Sequence, residues 1–175
     1  MLQYEVVRRA ESCTPLPLKN GRDFVMAGKA SEAKSGASKA LLEKVFAEKT
    51  KGRQNFRLVY AYSVRRKLLT TRISNYVLAF KPEKKEILLI QIDSEGNTLA
   101  DRMQLDRADI ARAEPTVHGG WLIDAKDLKH PTEFFVPASM PDSAEITYQL
   151  PINQEELAAQ FDAMMREIST APEGK

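Results

Sequence analysis

The stretch FRLVYAYSVRRKLLTTRISNYVLAFKPEKKEILLIQID, residues 56–93, decides the fold. It is dominated by Val, Ile, Leu, Tyr, Phe and Thr, with the period of two that belongs to β-strands rather than helices. Four runs stand out, Phe56 to Val64, Leu68 to Thr71, Tyr76 to Phe80 and Glu86 to Asp93, separated by charged or small polar residues. Lys81-Pro82-Glu83-Lys84-Lys85 reads as a five-residue hairpin loop whose proline fixes φ early in the turn. At the next reversal, Ser94-Glu95-Gly96-Asn97 supplies the Gly and Asn suited to positive φ. The expectation is a series of consecutive antiparallel strands.

Downstream the same character continues. Thr98 to Leu105 is a further run, and Asp109 to Val117 and Trp121 to Ala125 are joined across His118-Gly119-Gly120, where glycines permit a tight reversal. Glu133 to Val136 and Ile146 to Leu150 complete the β region. Upstream, Leu41, Leu42, Val45 and Phe46 fall on one helical stripe, which predicts an amphipathic helix over 38–50 stopped by Lys51-Gly52. At the other end Leu157, Phe161, Met164, Met165 and Ile168 make an apolar stripe for a helix over 154–169. Asn153, three residues before Glu156, reads as the N-cap of a capping box. Thr14 to Arg22 and Pro131 to Pro151 are loop-rich by their prolines. The division expected is an N-terminal extension over 1–55, a β domain with its closing helix over 56–170, and a tail over 171–175.

With 175 residues, 43% of them hydrophobic and 29% charged, the chain has the composition of one soluble globular domain. Its single cysteine, Cys13, makes no internal disulfide, no run approaches the length of a membrane span, and Met1 to Arg9 has charges inside its apolar residues. A cytoplasmic protein is the expectation. The net charge of +2 hides a split. Residues 1–75 carry 16 Lys and Arg against 6 Asp and Glu, and residues 76–175 carry 10 against 18. Lys39 to Arg72 alone holds ten cations and two anions, so a partner there should be anionic, an acidic face of a second copy included.

A meander of about seven short antiparallel strands closed by one amphipathic helix resembles the pleckstrin-homology-like (PH-like) barrel, especially the bacterial PH-like and GRAM-like domains, over residues 56–169. The stretch Lys67-Leu68-Leu69-Thr70-Thr71-Arg72-Ile73-Ser74-Asn75-Tyr76-Val77-Leu78-Ala79-Phe80 is similar to the family's second strand, tight turn and third strand. Leu105-Asp106-Arg107-Ala108-Asp109-Ile110 is similar to its entry into the fifth strand. The resemblance implies a mainly β (α+β) fold, with the C-terminal helix plugging one end of the barrel.

Two basic clusters, Arg65, Arg66 and Lys67, and Lys81, Lys84 and Lys85, are the candidate ligand-binding residues. Were Lys67 to Phe80 one continuous strand, the clusters would stand at opposite ends, roughly 40 Å apart. The resemblance instead implies a turn near Thr71 to Asn75, which would gather both into one cationic rim with Arg72 at the other end. In eukaryotic PH domains that rim, formed by the loops after the first and third strands, holds anionic lipid headgroups.

Catalytic and metal chemistry find no support. His118 and His130 lack spaced partners, Asp106 with Asp109 and Asp124 with Asp127 read as loop or capping carboxylates, and no glycine loop fits a phosphate cradle. Tyr60, Tyr62 and Tyr76 interleave with cations, but they alternate with core positions and no nucleic-acid motif accompanies them. Trp121 reads as a barrel wall, and of the adjacent Phe134 and Phe135 the outward one suits a partner or the N-terminal helix. The function expected is a non-catalytic binding or scaffolding module without metal or cofactor, acting through a protein partner or self-association. Binding of an anionic ligand or lipid surface through the basic loops is the alternative, and nucleic acid is third.

Overall fold

The computed structural model describes residues 29–51, 53–67, 70–142 and 149–170, the side chains of Arg66, Lys67 and Thr70 excepted. Strands β1 (Arg57–Lys67) and β2 (Thr70–Lys81) pair in one unbroken register, from Arg57 opposite Phe80 to Lys67 opposite Thr70. Two expectations are corrected here. No separate strand ends at Thr71, and no turn lies between Thr71 and Asn75, because all five residues are paired with Arg66 to Tyr62. Their composition mimics a turn, yet backbone pairing needs no apolar side chains: Thr71 to Ile73 have no flanking strand, and the buried Asn75 accepts from the Tyr60 hydroxyl.

The chain continues through β3 (Glu86–Ile92), β4 (Met103–Leu105), a single 3₁₀ turn (Arg107–Asp109), β5 (Ile110–Pro115), β6 (Trp121–Ala125) and β7 (Thr132–Phe135). The order across the sheet is β4-β3-β2-β1-β7-β6-β5, a nearly closed antiparallel barrel of seven strands. A small separate pair joins β8 (Ser139–Met140) to β9 (Ile152–Asn153). Helix α1 (Glu32–Thr50) precedes the barrel and α2 (Glu155–Thr170) closes the described chain. The strand expected at Ile146 to Leu150 falls mainly outside the described residues, as do the stretch over 14–22 and the tail over 171–175.

Alternate residues of the strands serve two different cores. Inside the barrel, Val59, Ala61, Leu78, Phe80, Ile87 and Leu89 pack with Trp121, Phe134 and the α2 residues Phe161, Met164, Met165 and Ile168. Phe80 meets Phe161 edge-on at 5.4 Å, and Trp121 Nε1 donates to Asp162 Oδ1 at 3.1 Å. On the outer face Tyr60, Val77, Ala79, Leu88, Ile90 and Ile92 lie against Leu42, Val45 and Phe46 of α1 and Met140, Leu150 and Ile152. Burial on both faces explains why Ile87-Leu88-Leu89-Ile90 is continuously apolar. The N-terminal helix therefore shares a core with the barrel.

Helix α1 runs for nineteen residues, beginning six before the expected start. Its first turns carry no apolar stripe and are held by polar contacts instead. Ser35 Oγ accepts from the Asn153 N–H at 2.9 Å, Ser38 Oγ donates to the Pro151 carbonyl at 2.7 Å, and the Ser31 side chain caps Lys34. Lys51, at φ 48°, ends the helix where expected.

The capping box at α2 is also corrected. Asn153 directs its amide to Ala30, accepting from the N–H at 3.1 Å and donating to the carbonyl at 2.9 Å. Gln154 does the same for Tyr60, at 2.8 Å to each backbone group, and also donates to the Pro137 carbonyl. Strand β7 pairs with β1 only at Tyr62 and Ser63, so the Gln154 amide takes the place of a strand neighbour where the barrel is split.

Candidate anion-binding arm

Beyond Ser63 and Ser74 the β1–β2 hairpin leaves the sheet. Its last neighbours are Phe134 of β7, opposite Ser63, and Ile92 of β3, opposite Asn75. Residues 64–67 and 70–73 pair only with each other. At about 3.3 Å per residue this two-stranded arm extends roughly 13 Å past the barrel.

Alternation assigns the faces. Val59 and Ala61 belong to the interior, so Ser63 and Arg65 continue that side, opposite Ser74 and Arg72. Arg65 and Arg72 are thus direct cross-strand partners, both exposed, with no ion pair to either among the described residues. Like charges in such a position, with Cβ atoms about 5 Å apart, destabilise a ladder unless an anion lies between them. No Asp or Glu occurs between Glu48 and Glu83 to supply one locally.

The six candidate cations divide. Arg65, Arg66 and Lys67 lie on the arm, the last two known by their backbone alone. Lys81, Lys84 and Lys85 lie at the far end of β2, about 36 Å away along the strand. The single rim does not form, because the turn it required is continuous strand, and Arg72 stands beside Arg65 instead of apart from it. At the far end Lys81 Nζ sits 4.1 Å over the Phe56 ring, Lys85 pairs with Glu167 at 3.5 Å, and Lys84 is exposed. Arg72 was missed as a partner because a turn was placed across it; the acid-free run around it is the signal that marks it.

Two loops share the arm's side of the barrel. Thr132 precedes Phe134 in β7, antiparallel to β1, so the 126–131 loop with Lys126, Lys129 and His130 opens toward the arm. The β3–β4 loop begins after Ile92. There the Asp93 carboxyl is held below the usual carboxylate range, chiefly by the Asn97 side-chain amide; burial opposes this, and the backbone N–H groups of Asn97, Glu95 and Gly96 add to the lowering. Gly96, at φ +87°, lies under Leu41 of α1, and a Cβ there would come within 2.6 Å of the leucine methyls.

The other candidates have structural places. His118 and His130 flank opposite ends of β6, and no group of three His, Cys, Asp or Glu among the described residues is placed to hold a metal. Asp109 Oδ2 accepts from the Asp106 N–H at 3.3 Å and so closes the 3₁₀ turn. Tyr60 is buried, its hydroxyl donating to Asn75 Oδ1 at 2.8 Å, and Tyr62 stacks on the outward Phe135 at 5.0 Å, while α1 lies over β1 and β2. Cys13 lies outside the described residues. A groove of about 260 Å³ runs between β5 and the last turn of α2. Its cations are engaged locally, Arg107 with the Ile110 carbonyl and Arg112 with Glu114, and β5 is bulged along it. No helix among the described residues is long and apolar enough to cross a membrane. Comparison with protein-family models, with curated proteins and with solved structures finds no match to this chain.

Proposed function

We propose that this chain is a PH-like, non-catalytic binding module that meets an anionic lipid surface with its β1–β2 arm. The strand order β4-β3-β2-β1-β7-β6-β5 around a C-terminal helix supports the PH-like reading. One observation carries the function: Arg65 and Arg72 oppose each other on a projecting ladder that has no acidic residue. A basic residue near an anionic bilayer contributes about 1 kcal/mol, so Arg65, Arg66, Lys67 and Arg72 together supply roughly 4 kcal/mol, close to a thousandfold in partitioning.

Self-association is the weaker reading, because the opposite polarity of the two chain regions is partly satisfied within one copy. Lys29 pairs with Glu155, Lys34 with Asp142, Arg53 with Glu86 and Arg57 with Glu83, each joining a basic N-terminal residue to an acidic C-terminal one. Such pairs leave less charge for a second copy.

Vesicle sedimentation tests the proposal. Phosphatidylcholine vesicles containing about a third phosphatidylserine should retain the protein at low salt and release it near 0.5 M NaCl. R65E/R72E should lower retention at least tenfold, by about 1.4 kcal/mol or more. Unchanged retention of that variant, or a short DNA duplex captured in preference to vesicles, would contradict the lipid reading.

A further inference from the structure

From Lys49 to Pro82 the chain carries nine Lys and Arg and no Asp or Glu. The hairpin built from this run delivers cations to both of its ends. Four of the nine are on the arm. The other five, Lys49, Lys51, Arg53, Arg57 and Lys81, gather at the opposite end with Lys84 and Lys85 of the β2–β3 turn.

Packing makes that end one surface. Phe46 of α1 meets Phe56 at 5.5 Å, Lys81 Nζ lies over the same Phe56 ring, and Arg53 reaches Glu86 at the start of β3 at 3.2 Å. The C-terminal end of α1, the entry to β1 and the β2–β3 turn are thereby brought together. Seven cations share that end with Glu48, Glu83, Glu86 and Glu167, and Gln104 and Gln160 link Arg53 to Asp106 and Arg57 to Glu156, so the formal excess is one positive charge. Ion pairs engage Arg53, Arg57 and Lys85. Lys49, Lys51, Lys81 and Lys84 have no carboxylate partner among the described residues, and Lys51 and Lys84 are exposed.

Distance decides how two such ends act. Strand β2 separates them by about 36 Å, more than four times the Debye length of about 8 Å at physiological ionic strength. A surface that holds the arm therefore exerts almost no field on the far end, which points away from it. We infer that the protein is two-ended: the arm engages one anionic bilayer, the Lys49, Lys51, Lys81 and Lys84 face engages a second, and a single copy bridges them. This rests on the arm reading above and adds a second contact to it.

The experiment pairs sedimentation with dynamic light scattering on the same phosphatidylserine vesicles. Wild-type protein should raise the mean particle size several-fold, and high salt should restore it. K51E/K84E should still sediment within about threefold of wild type but leave the particle size unchanged, with K51Q/K84Q falling between. Clustering by K51E/K84E equal to that by wild type would overturn the bridge, as would bound wild-type protein that leaves particle size unchanged. Loss of sedimentation by the wild type itself would overturn the arm reading instead, so the two failures are distinguishable.

Discussion

From Arg57 to Ser63 and from Ser74 to Lys81 the β1–β2 hairpin lies between α2 on one face and α1 with β8 and β9 on the other. From Val64 to Lys67 and from Thr70 to Ile73 the same ladder has no flanking strand. The β1–β2 pairing itself runs unbroken through both halves; what differs is the flanking strands and what the side chains meet. In the barrel half, each large side chain removed from water contributes about 1.5 to 3 kcal/mol. The exposed Arg65 and Arg72 of the arm contribute at most a few tenths to stability, and they oppose each other. One half specifies the fold and the other is left available for a partner.

Substitutions should separate the halves sharply. Phe80 is fully buried, and Phe80→Ala should cost about 3 to 5 kcal/mol, read as a lowered urea midpoint with an unchanged slope. A smaller loss is expected at the split between β1 and β7. Gln154→Ala removes three hydrogen bonds and leaves both backbone groups of Tyr60 without them, a cost of about 2 to 3 kcal/mol in thermal unfolding.

On the arm the sign should reverse. Arg65→Glu places opposite charges across the ladder from Arg72, so stability should rise by about 0.5 kcal/mol while vesicle retention falls. A loss of stability comparable to that at Phe80 would show that the arm belongs to the core. The smallest effect concerns the loop beside the arm. A carboxyl held below its ordinary value favours folding above its unfolded pKa, and that contribution fades as pH falls through the lower folded value. Asp93→Asn should therefore be less stable than wild type near neutral pH, with the difference shrinking as pH falls through the lowered folded value in an acid titration followed by circular dichroism.

Much of this division was legible in the sequence. The apolar stripe of Phe161, Met164, Met165 and Ile168 located α2, and Trp121 to Ala125 was placed to the residue. The arm was not legible as strand, because periodicity reports burial and Thr71 to Asn75 spans the point where packing on the ladder stops. Residues 32–37 of α1 were missed for a related reason: Ser35 and the Ser31 cap, rather than apolar side chains, hold that segment. Asn153 has the identity and spacing of a cap, but Ala30, 123 residues away, takes its amide. Both basic clusters were found as charge, whereas their placement depended on whether one strand continued through Arg72.

A fluorophore sensitive to polarity, attached through Thr71→Cys on the arm or through Val117→Cys in the β5–β6 turn, each in a Cys13→Ser background that also carries K51E/K84E to silence the far end, tests the central claim most directly. Both positions are exposed. On adding phosphatidylserine vesicles the Thr71 label should shift to shorter wavelength and revert with salt, and the Val117 label should stay unchanged. Equal shifts at both positions, or a shift at Val117 alone, would contradict the arm as the contact.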